Sequence, residues 1–452
     1  MSRRTARVNN PGPLTGLTVV DLSTVFAAPY MCSLLSDFGA EVIKIEAPAK
    51  LDQTRGGALA PIVGNESGGD AWNWSGSFHS LNRGKRSVVL DLKQEAGRAV
   101  LRRLVDTADI VVENFTPRVL RGWGMTYDEL ATTNSGLIML SNTGYGATGP
   151  WSGFKAQGTS LESTMGLTEY SGYPGDKPRK VGQSYPDFLA AWSGLSAILA
   201  ALAERRNSGR GQWIDLGMYQ LGPVVIPEAL IAAQAGIDRP ARQGNAEDDT
   251  VLSEVYACRG EEAWVAVALE NDVERQQAIE LVREHLSSND PDLADLTRGL
   301  GAWTATRTPD EAAEILQSRG IAAAPVAEVR NMLLDNQFRH RSFFDWVDVK
   351  GETRAIPGTP FVWTGTSTAI SRGRGPIFGE DNDTVLASLG LSQAEIETLR
   401  RDAVVVDEPQ GIRPPRAKDL AALVRAHVYR EIATDVDDVL ARVRPPAGEL
   451  RD

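Results

Sequence analysis

The sequence is poor in the residues that build disulfide frameworks and metal sites. Its 452 residues include only two cysteines and four histidines. Cys32 and Cys258 cannot form a framework of disulfides, so we predict that both are buried free thiols. The histidines lack the spacing of metal ligands, which argues against a zinc or iron site. They are His79, His285, His340 and His427.

The chain also lacks an excess of positive charge. With 47 basic and 59 acidic residues, its net charge is −12. Because no positive field attracts phosphates, binding to nucleic acid or to an anionic membrane is not expected. A phosphate-bearing ligand would need a local basic cluster, and Asn-Arg-Gly-Lys-Arg at residues 82–86 is one, with Lys93 shortly after it. This cluster is either a solvated charged loop or a site that recognises phosphate.

Long apolar runs are missing as well. No segment reaches about 18 uninterrupted apolar residues, the length that a membrane span needs. Residues 188–203 come nearest, but they contain serine and glycine. Residues 1–7 are basic and lack the apolar core of a signal peptide. We therefore expect a cytoplasmic protein in a reducing compartment, without a membrane partner.

What the sequence does contain is an alternation of strand and helix patterns. Short apolar strands at 17–22, 40–46, 87–92, 109–114 and 137–142 alternate with helices at 29–38, 94–107 and 127–133. A strand, a helix and a strand within about thirty residues form a right-handed parallel crossover. The pattern predicts an α/β fold with a doubly wound, Rossmann-like large domain over residues 12–205. Residues 50–80 are expected to form a long irregular loop.

The organisation changes after residue 205. Residues 206–224 are interpreted as a linker, and residues 225–335 as a smaller α/β domain. That domain contains a hairpin around residues 259–262, helices at 272–285 and 309–318, and a strand at 321–326. Residues 336–405 are loop-rich with helix near 383–401. Residues 406–452 are predicted to form a C-terminal helical arm with one amphipathic helix around residues 418–442.

The first crossover lacks the glycine-rich turn of a dinucleotide site. Its second strand ends at Glu46, as in nicotinamide-binding units. However, the turn at residues 23–29 reads Ser-Thr-Val-Phe-Ala-Ala-Pro, without a glycine that would let the backbone approach a pyrophosphate. An NAD site is therefore disfavoured, and a structural crossover is the preferred interpretation.

Asp187 lies at the start of a long apolar helix, just after Pro186. An aspartate in this position is usually a helix cap. The same geometry also suits a nucleophile, because free N–H groups at a helix start stabilise negative charge and a carboxylate can attack an activated acyl group. The spacing of residues alone does not choose between a cap and a nucleophile.

Several segments of the chain resemble the class III CoA-transferases, or CaiB/BaiF family. This group contains formyl-CoA transferase, carnitine CoA-transferase and α-methylacyl-CoA racemase. The resemblance covers most of the chain, from about residue 13 to about residue 405. The matching segments are residues 13–23, 35–46, 82–93, 109–115, Gly144-Tyr-Gly, Gly149-Pro, Asp187, Ser208-Gly-Arg-Gly-Gln and Gly379-Glu-Asp-Asn.

The resemblance implies a large domain built from both chain ends, with residues 336–405 returning to complete it, and an interlocked homodimer. It also implies that Asp187 is the nucleophile of a CoA-transferase that uses aspartyl anhydride and aspartyl-CoA thioester intermediates. Acyl-CoA and a small carboxylic acid would be the substrates, with no tightly bound cofactor and no metal. The CoA contacts would fall on Val25, Phe26, Ala27, Lys85, Arg86, Leu90, Asp91, Leu92, Lys93, Asn114, Phe115, Thr116, Arg121, Ala156, Gln157, Gly158 and Thr159.

Three positions depart from the family pattern. Phe26 replaces a glutamine of the formyl-CoA enzyme, and Ala47 replaces a basic residue that follows the strand-ending glutamate. Gln157 stands where the racemase branch has a histidine, and glutamine cannot carry a proton to or from an α-carbon. The pattern favours CoA transfer. The alternatives are an acyl-CoA isomerase or racemase of the same family, and a non-catalytic CoA-binding protein.

Overall fold

The computed structural model describes residues 12–56, 62–65, 68–182, 184–237, 242–247, 249–285, 295–363 and 373–444. Contacts divide the chain into two compact units. The first comprises Met1–Met165, Gly182–Pro227 and Leu333–Asp452, and the second comprises Gly166–Val181 and Glu228–Met332. Residues 166–181 thus group with the second unit, whereas the predicted large domain ran unbroken over 12–205. Residues 206–224 are not the predicted linker, since they contain the end of the helix Tyr185–Ser208 and the strand Gln212–Gly217 of the large parallel sheet. The other predicted domain boundaries stay predictions.

A parallel six-stranded sheet forms the framework of the first unit. Its strands are β1 (Thr18–Asp21), β2 (Glu41–Glu46), β3 (Arg86–Val89), β4 (Ile110–Glu113), β5 (Ile138–Thr143) and β6 (Gln212–Gly217). They lie in the order β3-β2-β1-β4-β5-β6, and all neighbours are parallel. The chain winds outward from β1 to β3, returns beside β1 as β4, and winds outward again. This order confirms the predicted doubly wound, Rossmann-like fold.

Helices connect these strands and continue to residue 443. In chain order they are α1 (Ala27–Asp37), α2 (Gly76–Leu81), α3 (Glu95–Val105), α4 (Arg118–Trp123), α5 (Tyr127–Leu130), α6 (Gly158–Thr164), α7 (Leu167–Tyr170), α8 (Tyr185–Ser208), α9 (Gly222–Val225), α10 (Pro227–Gln234), α11 (Asp272–His285), α12 (Leu296–Thr304), α13 (Pro309–Ser318), α14 (Val329–Leu334), α15 (Asn336–His340), α16 (Asn382–Ser388), α17 (Gln393–Arg401), α18 (Leu420–Arg425) and α19 (Val436–Val443).

The two faces of the parallel sheet pack into two separate hydrophobic clusters. Val19 of β1 belongs to a cluster with residues of α1 and α8. The next residue, Val20, belongs to a cluster with residues of α3, α16 and α17. Successive strand residues point to opposite faces, so a continuously apolar strand is buried on both sides. Because α16 and α17 follow residue 381, the large unit is built from both ends of the chain, as predicted.

The second unit contains a three-stranded antiparallel sheet in the order β7-β8-β9. The strands are β7 (Leu252–Ala257), β8 (Trp264–Leu269) and β9 (Ala322–Pro325). The predicted hairpin between the first two is confirmed, with Gly260 and Glu262 both at positive φ in its turn. Alternate residues of β8 face a core shared with α11, α12 and α13. A further hairpin of the first unit joins β10 (Phe344–Val349) to β11 (Glu352–Pro357).

Two predictions about secondary structure are wrong. Residues 50–80 are not a continuous irregular loop: they contain α2 and short 3-10 turns, and the buried Arg55 holds the first turn by pairing with Glu46. Residues 57–61 and 66–67 of this prediction lie outside the described residues. In the C-terminal arm, two short helices, α18 and α19, replace one amphipathic helix, because His427 takes φ 53° and a left-handed residue cannot continue a right-handed helix. Residues 445–452 also lie outside the described part.

Helix α8 buries only one of its faces, although an almost purely apolar helix is expected to be buried on nearly every side. Gly194 lies so close to α1 that a Cβ there would stand 2.2 Å from the Met31 methyl carbon. On the opposite face, Leu199 is 37% exposed and Ser196, Ala200 and Ala203 are also exposed. Among the described helices it alone is long and apolar enough to cross a membrane, but 44% of that window is buried in the chain. One helix of this length and composition is weak evidence for a membrane span, because core helices also meet both criteria.

Candidate active site

Asp187 lies in the first turn of α8, three residues after the residue that precedes the helix. That residue, Ser184, takes a left-handed conformation with φ 60°, and its carbonyl accepts the Asp187 N–H at 3.0 Å. Pro186 is buried in the same turn, where its missing N–H costs nothing. Asp187 is therefore not the cap residue itself. Its carboxylate extends from the positive end of the helix towards other elements.

Two other elements meet the Asp187 carboxylate. The backbone N–H of Ala27, the first residue of α1, donates a hydrogen bond to it. Gly158, the first residue of α6, faces it from another side, and a Cβ on that residue would stand 2.3 Å from Oδ2. The carboxylate thus lies where the N-termini of α1, α6 and α8 converge. Three helix starts favour negative charge at this point.

Burial nevertheless raises the pKa of Asp187 to about 6. Loss of solvation is the largest cause, and the bonds from the backbone N–H groups of Ala27 and Asp187 itself lower the pKa in part. The negative charge of Glu162, a fully buried residue on α6, raises it further. At neutral pH most Asp187 side chains are ionised, yet their charge is poorly solvated. Such a carboxylate is suited to nucleophilic attack.

The turn between β1 and α1 brings Ala27 to this place. Within it, Val25 takes φ 79°, a conformation that is strained for a β-branched residue. The N–H of Val25 donates to both carboxylate oxygens of Asp52, at 3.3 and 3.4 Å. Asn114 donates to the carbonyl of Thr24 at 2.7 Å and accepts its N–H at 3.0 Å. Side chains from elsewhere in the fold therefore hold the strained turn.

The predicted residues around this turn lie at the point where the strand order reverses. Val25, Phe26 and Ala27 follow β1, and Asn114, Phe115 and Thr116 follow β4, which is its neighbour. In doubly wound sheets, ligands bind outside the carboxyl ends of strands at this switch point. The structure thus brings together Val25–Ala27 of the turn, Asn114, Gly158 and Asp187.

The loop after β5 carries the remaining residues near Asp187. Ala156 packs against Gly144, where a Cβ would stand only 2.3 Å from the Ala156 methyl group. Gln157 precedes α6, and its N–H donates to the Ser160 hydroxyl at 3.1 Å. The side chains of Gln157 and Thr159 are exposed. The close packing of Ala156 against Gly144 therefore fixes the path of this loop beside the Asp187 carboxylate.

The basic cluster at 82–86 is neither a solvated loop nor a phosphate site, because internal carboxylates neutralise its charges. Lys85 is buried, pairs with Asp21 at 2.7 Å, and gives its other two donors to Pro29 O and Asn82 Oδ1. Arg83 pairs with Asp37. Arg86 is bonded to Glu41, Asp381 and Thr384. We therefore remove the side chains of Lys85 and Arg86 from the set of predicted CoA contacts.

The other predicted contacts form a second group, beyond β3 and β4. Leu90 is buried in the core and offers no side chain to a ligand, and Leu92 and Phe115 pack against the same core cluster. Asp91 accepts the Lys93 N–H at 3.1 Å. Lys93 and Arg121, the basic residues of this group, are both exposed. The charges of these two side chains are therefore accessible to a ligand at the surface.

Sequence reasoning missed three buried acids and bases around the site. Lys44 bridges the Ser23 carbonyl and Asp52 at 2.7 and 3.1 Å. Glu113 ends β4, where burial raises its pKa to about 7 although Ser141 and the Phe115 N–H bond to it. A carboxylate directly after three apolar strand residues was a usable signal for Glu113. Asp52 sits in a loop, and nothing in its neighbours marks it. In the described part of the chain, no group of three metal-ligating residues occurs.

Comparisons with known proteins show which family this chain is similar to. A family model described as CoA-transferase family III matches residues 14–382. The chain is 31% identical over 409 residues to the succinate–glutarate CoA-transferase of Agrobacterium fabrum, covering 87% of this chain and 98% of that protein. It is 29% identical over 418 residues to the succinyl-CoA–D-citramalate CoA-transferase of Chloroflexus aurantiacus, with coverages of 87% and 98%.

The fold has a solved counterpart as well. The crystal structure of a CaiB/BaiF family protein from Brucella suis superposes with a TM-score of 0.74 at 28% identity, and the match covers 84% of this chain and 100% of that one. Sequence and fold agree with the resemblance carried by the short segments. The chain belongs to CoA-transferase family III.

Proposed function

We propose that this protein, a CoA-transferase, moves coenzyme A from an acyl-CoA donor to a small carboxylic acid, with Asp187 as the nucleophile. The observation that carries the proposal is the convergence of three helix N-termini on one half-buried carboxylate, with a hydrogen bond from the Ala27 N–H. Two relatives are named as transferases that involve succinate or succinyl-CoA. A short carboxylic acid is therefore the acceptor class to test first.

Four steps complete the proposed reaction. An Asp187 oxygen attacks the donor thioester carbonyl, the C–S bond breaks, and CoA leaves as a thiolate, which produces a mixed anhydride. The thiolate attacks the Asp187 carbonyl carbon and releases the donor carboxylate, which produces an aspartyl-CoA thioester. The acceptor carboxylate attacks that thioester and again releases the thiolate. The thiolate finally attacks the acceptor carbonyl of the second anhydride, and Asp187 returns as a carboxylate.

The geometry assists these steps in two ways. Each attack places negative charge on an oxygen of a tetrahedral intermediate, and the free N–H groups of the converging helix starts can stabilise it. Because the raised pKa of about 6 still lies below neutral pH, the nucleophile is ionised when the enzyme works. The energy of the thioester is conserved throughout, so the proposed reaction needs neither a metal nor a tightly bound cofactor.

We propose that CoA contacts two sets of residues: those at the switch point of the sheet, and the second group of predicted contacts beyond β3 and β4. The backbone of residues 25–27 and 114–116 would follow the pantetheine arm, and Lys93 and Arg121 would meet phosphates, since both are exposed and basic. Ala156, Gln157, Gly158 and Thr159 would line the end beside Asp187. Gln157 also makes the racemase alternative less favoured, because its amide cannot exchange a proton with an α-carbon.

Trapping the covalent intermediate tests the proposal. The protein is mixed with succinyl-CoA in the presence of hydroxylamine, and peptides are analysed by mass spectrometry. An aspartyl hydroxamate at Asp187 is the expected product, and Asp187→Asn should give none. Glu204→Gln, a change at the exposed end of α8, serves as the matched control and should keep the label. The nucleophile assignment fails if a panel of acyl-CoA donors that supports turnover never labels Asp187.

We further propose that the protein is an interlocked homodimer and acts in the cytoplasm. The apolar face of α8 is exposed, which supports the proposal that a second copy of the chain covers it. The two buried free thiols suit a reducing compartment. Interlocked rings cannot separate without unfolding. Tagged and untagged dimers mixed in native buffer should therefore form no hybrid, whereas refolding the mixture from denaturant should produce one. Rapid hybrid formation in native buffer would exclude interlocking.

A further inference from the structure

The main chain between β1 and α1 belongs to neither a strand nor a helix, yet side chains hold three of its successive residues, Ser23, Thr24 and Val25. Asp21 accepts the Ser23 N–H at 2.9 Å, and Lys44 donates to the Ser23 carbonyl at 2.7 Å. Asn114 binds both main-chain groups of Thr24. Asp52 accepts the N–H of Val25. Three successive residues are thus fixed by side chains that come from four other places in the chain.

Asp52 occupies the centre of this arrangement. It is 4% exposed. Besides Val25, its carboxylate accepts the N–H and the hydroxyl of Thr54 at 2.9 and 2.7 Å and pairs with Lys44 at 3.1 Å. The ion pair with Lys44 lowers the pKa of Asp52, although burial opposes this. An acceptor that is charged, buried and rigidly bound can keep a strained residue in place.

We propose that Asp52 is a positioning residue: by holding the Val25 N–H it imposes the left-handed turn that presents the Ala27 N–H to Asp187. The proposal rests on the proposed function of Asp187. Valine has a marked preference for negative φ, so the turn would relax without its acceptor. The Ala27 N–H lies two residues after Val25, and it would then move away from the Asp187 carboxylate. Asp52 would act through the main chain of the turn, because its hydrogen bonds and ion pair go to Val25, Thr54 and Lys44.

The test measures the ionisation of Asp187 directly. The protein is labelled with ¹³Cγ-aspartate, the Asp187 signal is assigned with Asp187→Asn, and its titration is followed by NMR. In Asp52→Ala, which removes the acceptor of the Val25 N–H, we expect a higher pKa for Asp187 than in the wild type, because the hydrogen bond from the Ala27 N–H that favours the charged form is lost. The rate of hydroxamate formation at Asp187 should fall by about 100-fold, as expected for a misplaced catalytic group.

A second substitution distinguishes positioning from general damage. Glycine adopts positive φ without strain, so Val25→Gly added to Asp52→Ala should return the Asp187 titration towards the wild-type value. Asp381→Asn changes another buried, paired carboxylate of the same unit, away from this turn, and should leave the titration unchanged. Should Asp52→Ala not fold, Asn114→Leu loosens the same turn at Thr24 and should raise the pKa of Asp187 likewise.

Two results would overturn the proposal. One is an unchanged Asp187 titration in folded Asp52→Ala, and the other is a raised pKa that Val25→Gly does not correct. Failure of the proposed function looks different: wild-type Asp187 would then never be labelled by acyl-CoA, while the NMR titration would still report whether Asp52 controls its ionisation.

Discussion

Gly158 lies against Asp187 so closely that a Cβ on the glycine would stand 2.3 Å from Oδ2. No side chain fits there unless the carboxylate moves. The backbone of Gly158 does not need a glycine for its conformation, since it begins α6 at an ordinary φ. Glycine is therefore required at position 158 because of the neighbouring carboxylate and not because of its backbone conformation.

Gly158→Ala should accordingly separate activity from stability. Alanine is a good helix former at this position, but its methyl group pushes the carboxylate away from the Ala27 N–H. We expect kcat to fall by about 100-fold with little change in Tm, measured by steady-state kinetics and calorimetry. Gly153→Ala, in the same loop with open space around it, is the matched control. Equal activity in the two variants would refute the close contact.

Asp187→Asn should stabilise the protein at high pH. The pKa of Asp187 is raised to about 6 in the folded state from 3.8, so the folded state binds more protons than the unfolded state between these values. Stability therefore falls as pH rises from 4 through 6, and asparagine escapes this loss. Urea unfolding should give the variant an advantage of roughly 1–3 kcal/mol at pH 8 that disappears near pH 4. A variant less stable than the wild type at pH 8 would contradict this prediction.

Lys85→Met should destabilise the fold, because it leaves Asp21 buried without its ion-pair partner. Breaking one side of a buried pair costs about 3–5 kcal/mol, and Asp21→Asn in the same chain should recover part of that loss. Lys93→Met, at an exposed position, should change the free energy of unfolding by at most about 0.5 kcal/mol. Chemical denaturation measures all three. A Lys85→Met protein of normal stability would return Lys85 to the candidates for phosphate binding.

Leu199→Glu tests the dimer surface on α8. A charge in the middle of the exposed apolar face should weaken or abolish a dimer that covers it, because the charge would be desolvated. Light scattering coupled to gel filtration should show a dimer for the wild type and monomer or aggregate for the variant. Arg206→Glu, at the polar end of the same helix, should remain dimeric. If Leu199→Glu is an unaltered dimer, another surface forms the interface.

Much of the fold was predictable because local patterns encode it. Val19 and Val20 of β1 lie in continuously apolar sequence, which indicates a strand buried on both faces. The bounds of α11 and α13 match their predicted ranges because cap and charge signals flank them, such as Thr308 with Glu311. The two short C-terminal helices escaped prediction, because the left-handed break at His427 lacks a glycine or proline signal.

The candidate site was only partly predictable. Asp187 could be identified from its place before an apolar helix and from the family resemblance, and its role as nucleophile stays a proposal. The prediction of Lys85 and Arg86 as CoA contacts is wrong for their side chains, because a run of basic residues does not reveal its ion-pair partners. Those partners, Asp21, Glu41 and Asp381, are distant in the sequence.

The sequence by itself determined the order of strands and helices, the family, and the presence of a carboxylate at a helix start, since each depends on residues close together in the chain. Only the tertiary structure decided that Ala27 and Gly158 meet Asp187, and that Asp52 and Asn114 hold the turn beside it. These contacts exist because a doubly wound sheet brings the ends of β1 and β4 side by side, and chain folding rather than local pattern supplies such neighbours.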